Sequence, residues 1–116
     1  MKKAATKQRA REKSVADTLP AFAAVHPGLE PILAAELTAL GVSDVAPVAG
    51  GVEFTASPAD LWRVNLVSRV AGRVLVRVAS FHAASFHELE RHAARIDWSR
   101  FVSPSGSVHF RVTTKR

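Results

Sequence analysis

From residue 21 onward the chain switches repeatedly between two hydrophobic periods. Residues 21–26, AFAAVH, form a short apolar run cut off by Pro27-Gly28, which predicts a strand ending in a turn. Leu29, Ile32, Leu33, Leu37 and Leu40 then fall on one face of a 3.6-residue period, with Pro31 tolerated in the first turn and Gly41 as a stop. Residues 44–49 and 52–56 read as two strands joined by Gly50-Gly51, a hairpin linker in which both glycines are expected to take positive φ. Ser57-Pro58-Ala59-Asp60 combines a serine N-cap, a proline at the first helical position and an acid three residues past the cap. The helix it opens is expected to run to about residue 71, before Gly72. Residues 73–81, RVLVRVASF, alternate as a strand, with Val74, Val76 and Val78 on one side.

The order β, α, β, β, α, β with short connections predicts an α+β, ferredoxin-like βαββαβ fold. Right-handed crossovers put both helices on one face of an antiparallel sheet and leave the opposite face open for binding. A second start follows. Ser85 and Glu88 make another capping box, Phe86, Leu89, Ala93 and Ile96 form an apolar helical face, and residues 107–113, SVHFRVT, read as one more strand. A helix and a strand are too little to close a second core, so this segment is expected either to pack on the first domain or to begin an incomplete α/β one.

Charge changes the picture once it is located. The 116 residues carry a net +6, which for a whole domain would suggest a basic, nucleic-acid-binding surface. Residues 1–14 hold six bases against one acid, Arg111, Lys115 and Arg116 add three more, and residues 15–110 hold seven bases against nine acids. The folded middle is therefore slightly acidic. Residues 1–18 have only Val15 as a large aliphatic residue after Met1, too little for a packed face, and read as a disordered basic tail, without the apolar run of a signal peptide. No stretch approaches a membrane span, so the chain reads as soluble and cytoplasmic, with no membrane partner.

Candidate chemistry is sparse. The sequence has no cysteine, which removes thiolate catalysis and zinc fingers. It has no Gly-x-Gly-x-x-Gly loop, phosphate-binding loop or nucleophile elbow, so no catalytic and no cofactor-binding residue is assigned. His82, His87 and His92 are five apart, which turns a helix by about 140° and keeps them off one face; no metal ligand is assigned. The commonest RNA-recognition module shares this element order, but its aromatic third-strand motif is missing from GGVEFTA, and Phe54 shares a face with Val52 and Ala56, expected to be the helix-covered one. Sequence-specific base stacking on this sheet is not expected. Arginines suited to phosphates remain: Arg63, Arg69 and Arg73, with Arg77 beside them, and Arg111, Lys115 and Arg116 at the end. Each has an alternative reading as a solvated charge or a partner of a nearby acid.

Four segments in order resemble one family. His26-Pro27-Gly28-Leu29-Glu30-Pro31-Ile32-Leu33 with Glu36-Leu37 and Leu40-Gly41, then Gly50-Gly51-Val52-Glu53-Phe54, then Arg63-Val64-Asn65-Leu66-Val67-Ser68-Arg69 with Ala71 to Leu75, and Ile96-Asp97-Trp98, are similar to the THUMP-domain-containing RNA methyltransferases. Val67 stands where that family often has tryptophan. After the basic tail over residues 1–18, the resemblance implies a ferredoxin-like domain over 19–83 and the beginning of a THUMP RNA-binding domain over 84–116. It implies RNA, ribosomal in class, as partner, together with a C-terminal methyltransferase domain that uses S-adenosylmethionine to methylate guanine N2. Without the cofactor loop and catalytic motif of that domain, this chain is expected to bind no cofactor and to be inactive alone. The alternative is a free-standing ferredoxin-like regulatory or assembly domain whose open sheet face dimerises or binds a small molecule.

Overall fold

In the computed structural model, which describes residues 17–115, the elements are β1 (Leu19–Ala24), α1 (Glu30–Ala39), β2 (Ser43–Val48), β3 (Gly51–Ala56), α2 (Pro58–Val67), β4 (Arg73–Val76), α3 (Phe86–Ala94) and a 3-10 turn at Trp98–Arg100. Most of the tail expected over residues 1–18, and Arg116, lie outside the described residues. The strands form one antiparallel sheet in the order β2-β3-β1-β4, the ferredoxin-like arrangement predicted from the element order.

Register decides which side chains are inside. Ala21 pairs with Phe54 and Val76, and Ala23 with Val52 and Val74. This face carries the core: Ala21, Ala23, Val52, Phe54 and Ala56 are buried with Leu33 and Leu37 of α1 and Val64 of α2, and Val74 packs against them. Both helices therefore cover one face. The small residues of β1 let that layer sit close, and the larger Val52 and Phe54 of β3 fill the space below the helices. The other face is uncovered by any helix of this unit and carries Phe22, Glu53, Leu75, Arg73 and Arg77.

Four local expectations are corrected. The hairpin turn is Ala49-Gly50, because Val48 pairs with Gly51; Gly50 has φ +82° while Gly51 is an ordinary strand residue. Helix α2 stops at Val67, four residues early, because Glu36 of α1 accepts the Ser68 hydroxyl and the Arg69 amide and draws the chain off the helical path. Strand β4 stops at Val76 because β1 supplies ladder partners only through Ala21, with one further bond from the Arg77 amide to Pro20 O (2.8 Å). Residues 107–113 form no strand; among the described residues no edge pairs with them, and an isolated strand has no ladder to stabilise it.

The chain divides into two units between Val78 and Ala79. In the second, Ser85 Oγ accepts the Glu88 amide (3.2 Å) and Glu88 Oε2 accepts the Ala84 amide (2.8 Å), so α3 is capped from both sides. Its apolar stripe is nonetheless unburied, with Phe86 90% exposed. The ring of Phe81 stacks on His92 at 4.9 Å, and Trp98 Nε1 donates to Ala93 O at 2.9 Å.

Candidate nucleic-acid interface

The stretch from α2 to β4 holds three of the phosphate candidates, and its backbone is bound internally. Ser57 and Asp60 close the capping box that starts α2: Ser57 Oγ accepts the Asp60 amide (3.2 Å) and Asp60 Oδ2 accepts the Ser57 amide (3.4 Å). Asp60 Oδ1 then pairs with Arg63 Nη2 at 3.0 Å, and the same guanidinium nitrogen donates to Leu40 O at the C-terminal end of α1. Arg63 is thus committed to joining α2 to α1, where a cation suits the negative end of the helix dipole. Both side chains of the pair are substantially exposed, so it contributes at most about 1 kcal/mol.

Beyond Arg63, the chain is fastened residue by residue. Asn65 Nδ2 donates to Leu61 O (2.7 Å), the Ser68 hydroxyl donates to Glu36 Oε1 and accepts the Ala71 amide (3.1 Å), and Gly72 N donates to Ala24 O (2.8 Å). Arg69 and Arg73 sit at the two ends of this fastened loop. Both are exposed, and among the described residues neither guanidinium has a hydrogen-bond or acidic partner. Arg73, with Asn65, Ser68 and Gly72, lines a cleft of about 170 Å³. The Arg69, Ala71 and Gly72 amides and the Ser68 hydroxyl are taken up by internal bonds, which leaves the two exposed cations on a framework set by hydrogen bonds, groups suited to phosphate oxygens.

The other candidates separate from this pair. Arg77 reaches across the open face to Glu53 at 3.3 Å. Arg111 and Lys115 are exposed in the irregular part of the second unit, and Arg116 lies outside the described residues. Among the described residues no group of three or more histidines and carboxylates could share a metal ion.

Two carboxylates with positioning roles escaped the sequence reading. Glu30 Oε2 accepts the Gly28 amide (2.8 Å) and Glu30 Oε1 accepts the Gly50 amide (3.1 Å), which ties the start of α1 to the β2-β3 turn. Its carboxyl is held below the ordinary glutamate value first by its own backbone amide and then by that of Gly50; desolvation opposes them, and the Gly28 amide adds a smaller lowering. Glu36 does the corresponding work at the α2-β4 loop. Both lie in the family-like segment, but their roles depend on partners 20 and 32 positions away that no local pattern announces. Phe22 was also missed: AFAAVH is apolar throughout, so its inward and outward positions are set only by pairing with β3.

Fold and geometry define a ferredoxin-like α+β domain whose α2-β4 loop presents unpaired arginines. Residues 21–75 match the RlmL ferredoxin-like domain. Over 100 residues the chain is 42% identical to a candidate RNA methyltransferase of Synechocystis sp., covering 86% of this chain and 26% of that protein. It is 35% identical over 95 residues to the ribosomal RNA large subunit methyltransferase K/L of Methylococcus capsulatus, covering 82% of this chain and 13% of the relative. Among solved structures, a candidate N6-adenine-specific DNA methylase from Listeria monocytogenes superposes with a TM-score of 0.70 at 29% identity, over 79% of this chain and 24% of that one. A candidate methyltransferase complexed with SAH, SMU.472, gives 0.69 at 29% identity, over 74% and 22%. The chain thus spans about a quarter or less of the length of these relatives.

The SAH-bound relative implies S-adenosylmethionine for such enzymes, but the described residues do not fit that cofactor. The glycine amides at the first strand-to-helix turn and the adjoining hairpin, those of Gly28 and Gly50, are already taken by the Glu30 carboxylate. No other glycine-rich strand-to-helix turn is present in the sequence.

Proposed function

We propose that this chain is the RNA-positioning part of a ribosomal RNA methyltransferase. In this reading residues 1–18 are a basic arm, residues 19–83 the ferredoxin-like domain, and residues 84–116 the opening of a THUMP RNA-binding domain. A separate catalytic domain transfers the methyl group of S-adenosylmethionine to guanine N2, and the protein works in the cytoplasm on ribosomal RNA. In agreement with a non-membrane role, no helix among the described residues is long and apolar enough to cross a membrane.

The observation that carries the proposal is the contrast among four neighbouring arginines. Arg63 and Arg77 have acidic partners, whereas Arg69 and Arg73, at the ends of a loop stapled by Glu36 and Ser68, have none among the described residues. A fixed pair of unpaired guanidinium groups holds phosphates and sets orientation, leaving sequence choice and chemistry to other parts of the protein. Arg111, Lys115 and Arg116 extend the phosphate contacts in the second unit.

Binding of the chain to a structured ribosomal RNA fragment tests this. Affinity should fall steeply between low and physiological salt, and the double variant R69Q/R73Q should flatten the dependence of log K on log salt by about 2. The variant R63Q/R77Q serves as the control and should leave that slope unchanged. Removing residues 1–14 should flatten it further. Salt-independent binding, or equal slopes for the two double variants, would refute the assignment.

A further inference from the structure

The phosphate contacts leave the open face of the sheet unexplained, and that face has a definite shape. Phe54, the aromatic residue of β3, is buried beneath the helices, while Phe22, on the central strand β1, faces outward. Phe22 lies between Glu53 on one side and Leu75 on the other, and the neighbouring row carries Gly51, Ala24 and Arg73. The ring does not stand away from the sheet. Its tip rests on Gly51 so closely that a Cβ at that position would lie 2.3 Å from Cζ. A ring lying across the strands keeps one face on the sheet and offers the other to solvent, and Phe22 is half-buried accordingly.

The surroundings narrow the class of occupant. Leu75 is 45% exposed beside the ring, and the positions next to it are small. This gives a flat apolar floor the width of one or two rings, smaller than a packed helix requires. The cations Arg73 and Arg77 border it, and Glu53 on the same face pairs with Arg77 at 3.3 Å. A flat apolar floor with positive charge at its border suits a base on the ring and its phosphate on a guanidinium.

We propose that the open sheet face takes an unpaired RNA nucleotide, its base stacked on Phe22 and its phosphate paired with Arg73. The proposal rests on the RNA-positioning reading and adds a substrate class to it: a single-stranded segment beside the structured part of the RNA. Arg73 lies on β4 at the border of both sites, so the α2-β4 loop and the sheet face would read adjoining phosphates of one strand.

The test uses the 116-residue chain, a short single-stranded RNA carrying a fluorescent adenine analogue, and a fully paired RNA hairpin. Stacking should quench the analogue on binding. Phe22→Leu, which keeps apolar bulk but removes the π face, should weaken single-strand binding about fivefold or more and leave hairpin binding unchanged. Glu53→Gln, at an exposed side chain, should tighten single-strand binding by removing the negative charge, and it provides a reading even where Phe22→Leu lowers stability. An unquenched analogue, equal single-strand affinities for Phe22→Leu and the parent, or a dimer that excludes RNA from this face would overturn the proposal. Salt-dependent hairpin binding without a stacking signal removes the sheet site alone; absence of all RNA binding removes the RNA-positioning reading with it.

Discussion

Replacing Gly51 with alanine isolates the contact that shapes the open face. Gly51 does not have a positive φ, so an added methyl would meet no conformational penalty, and in a strand it would ordinarily be favourable by a few tenths to about 1 kcal/mol. The space decides otherwise. The new Cβ would lie 2.4 Å from Ala23 O and 2.3 and 2.7 Å from Phe22 Cζ and Cε2. The ring can rotate away, but the Ala23 carbonyl belongs to the central strand, whose neighbours pair with both β3 and β4. Overpacking against such a group costs about 1–3 kcal/mol, leaving a net loss of roughly 1–2 kcal/mol after the strand preference is subtracted. For a domain of this size each kcal/mol lowers Tm by about 4–8 °C.

The assay is thermal and urea unfolding followed by far-UV circular dichroism, on Gly51→Ala alone and combined with Phe22→Ala. If the ring carries most of the clash, the double variant should lose less than the two single variants together; if the carbonyl does, the losses should add. Gly50→Ala is the comparison. Its φ of +82° makes any side chain costly by about 1–2 kcal/mol, yet nothing lies within 4 Å of its added Cβ, so Phe22→Ala should not change that cost. A Gly51→Ala protein as stable as the parent would refute the packing argument and, with it, the assigned position of the Phe22 ring.

Three further outcomes are expected. Because Glu30 titrates below the ordinary glutamate value, it stabilises the fold at pH above that value and loses this contribution as pH falls through its lowered one; Glu30→Gln should lose this part of the acid sensitivity in urea midpoints measured from about pH 7 to pH 3. Glu36→Gln removes the charge that accepts the Ser68 hydroxyl and Arg69 amide, and should cost about 1–2 kcal/mol and speed amide exchange in the α2-β4 loop relative to β1. Leu37→Ala empties a site that is fully buried between α1 and the sheet and should cost about 2–5 kcal/mol in urea unfolding.

The order of elements and the helix-covered face were legible because each depends on local periodicity: the leucines of α1, the Ser57-Pro58 start of α2 and the alternation at Val74 and Val76 all act over a few residues. What was hidden depends on partners distant in sequence. The position of the hairpin turn was off by one residue because Gly50 and Gly51 look equivalent, although one is selected by backbone conformation and the other by the approach of Phe22. The early end of α2 required Glu36, 32 residues before Ser68, and no helix signal announces a carboxylate from another element. The strand pattern at residues 107–113 was real as a pattern, but alternation records only a face to be buried and cannot supply a neighbouring strand.

The candidate interface shows what a motif match does and does not carry. Four residues of the segment from Arg63 to Leu75 that resembles a family are engaged in internal hydrogen bonds: Asn65 on Leu61, Ser68 between Glu36 and Ala71, Gly72 on Ala24, and Arg63 on Asp60 and Leu40. Such a motif specifies a loop shape. In the proposed RNA-positioning role, contact with a partner would fall to the groups that the shape leaves over, and in this segment those are the guanidinium groups of Arg69 and Arg73, which have no partner among the described residues. The same separation applies to charge. The described domain is close to neutral or slightly acidic and cannot bind RNA through its own overall field, so any affinity it adds to that of the basic arm must come from a few exposed cations. The paired arginines Arg63 and Arg77 belong to the fold, and the salt dependence of binding should follow the unpaired ones.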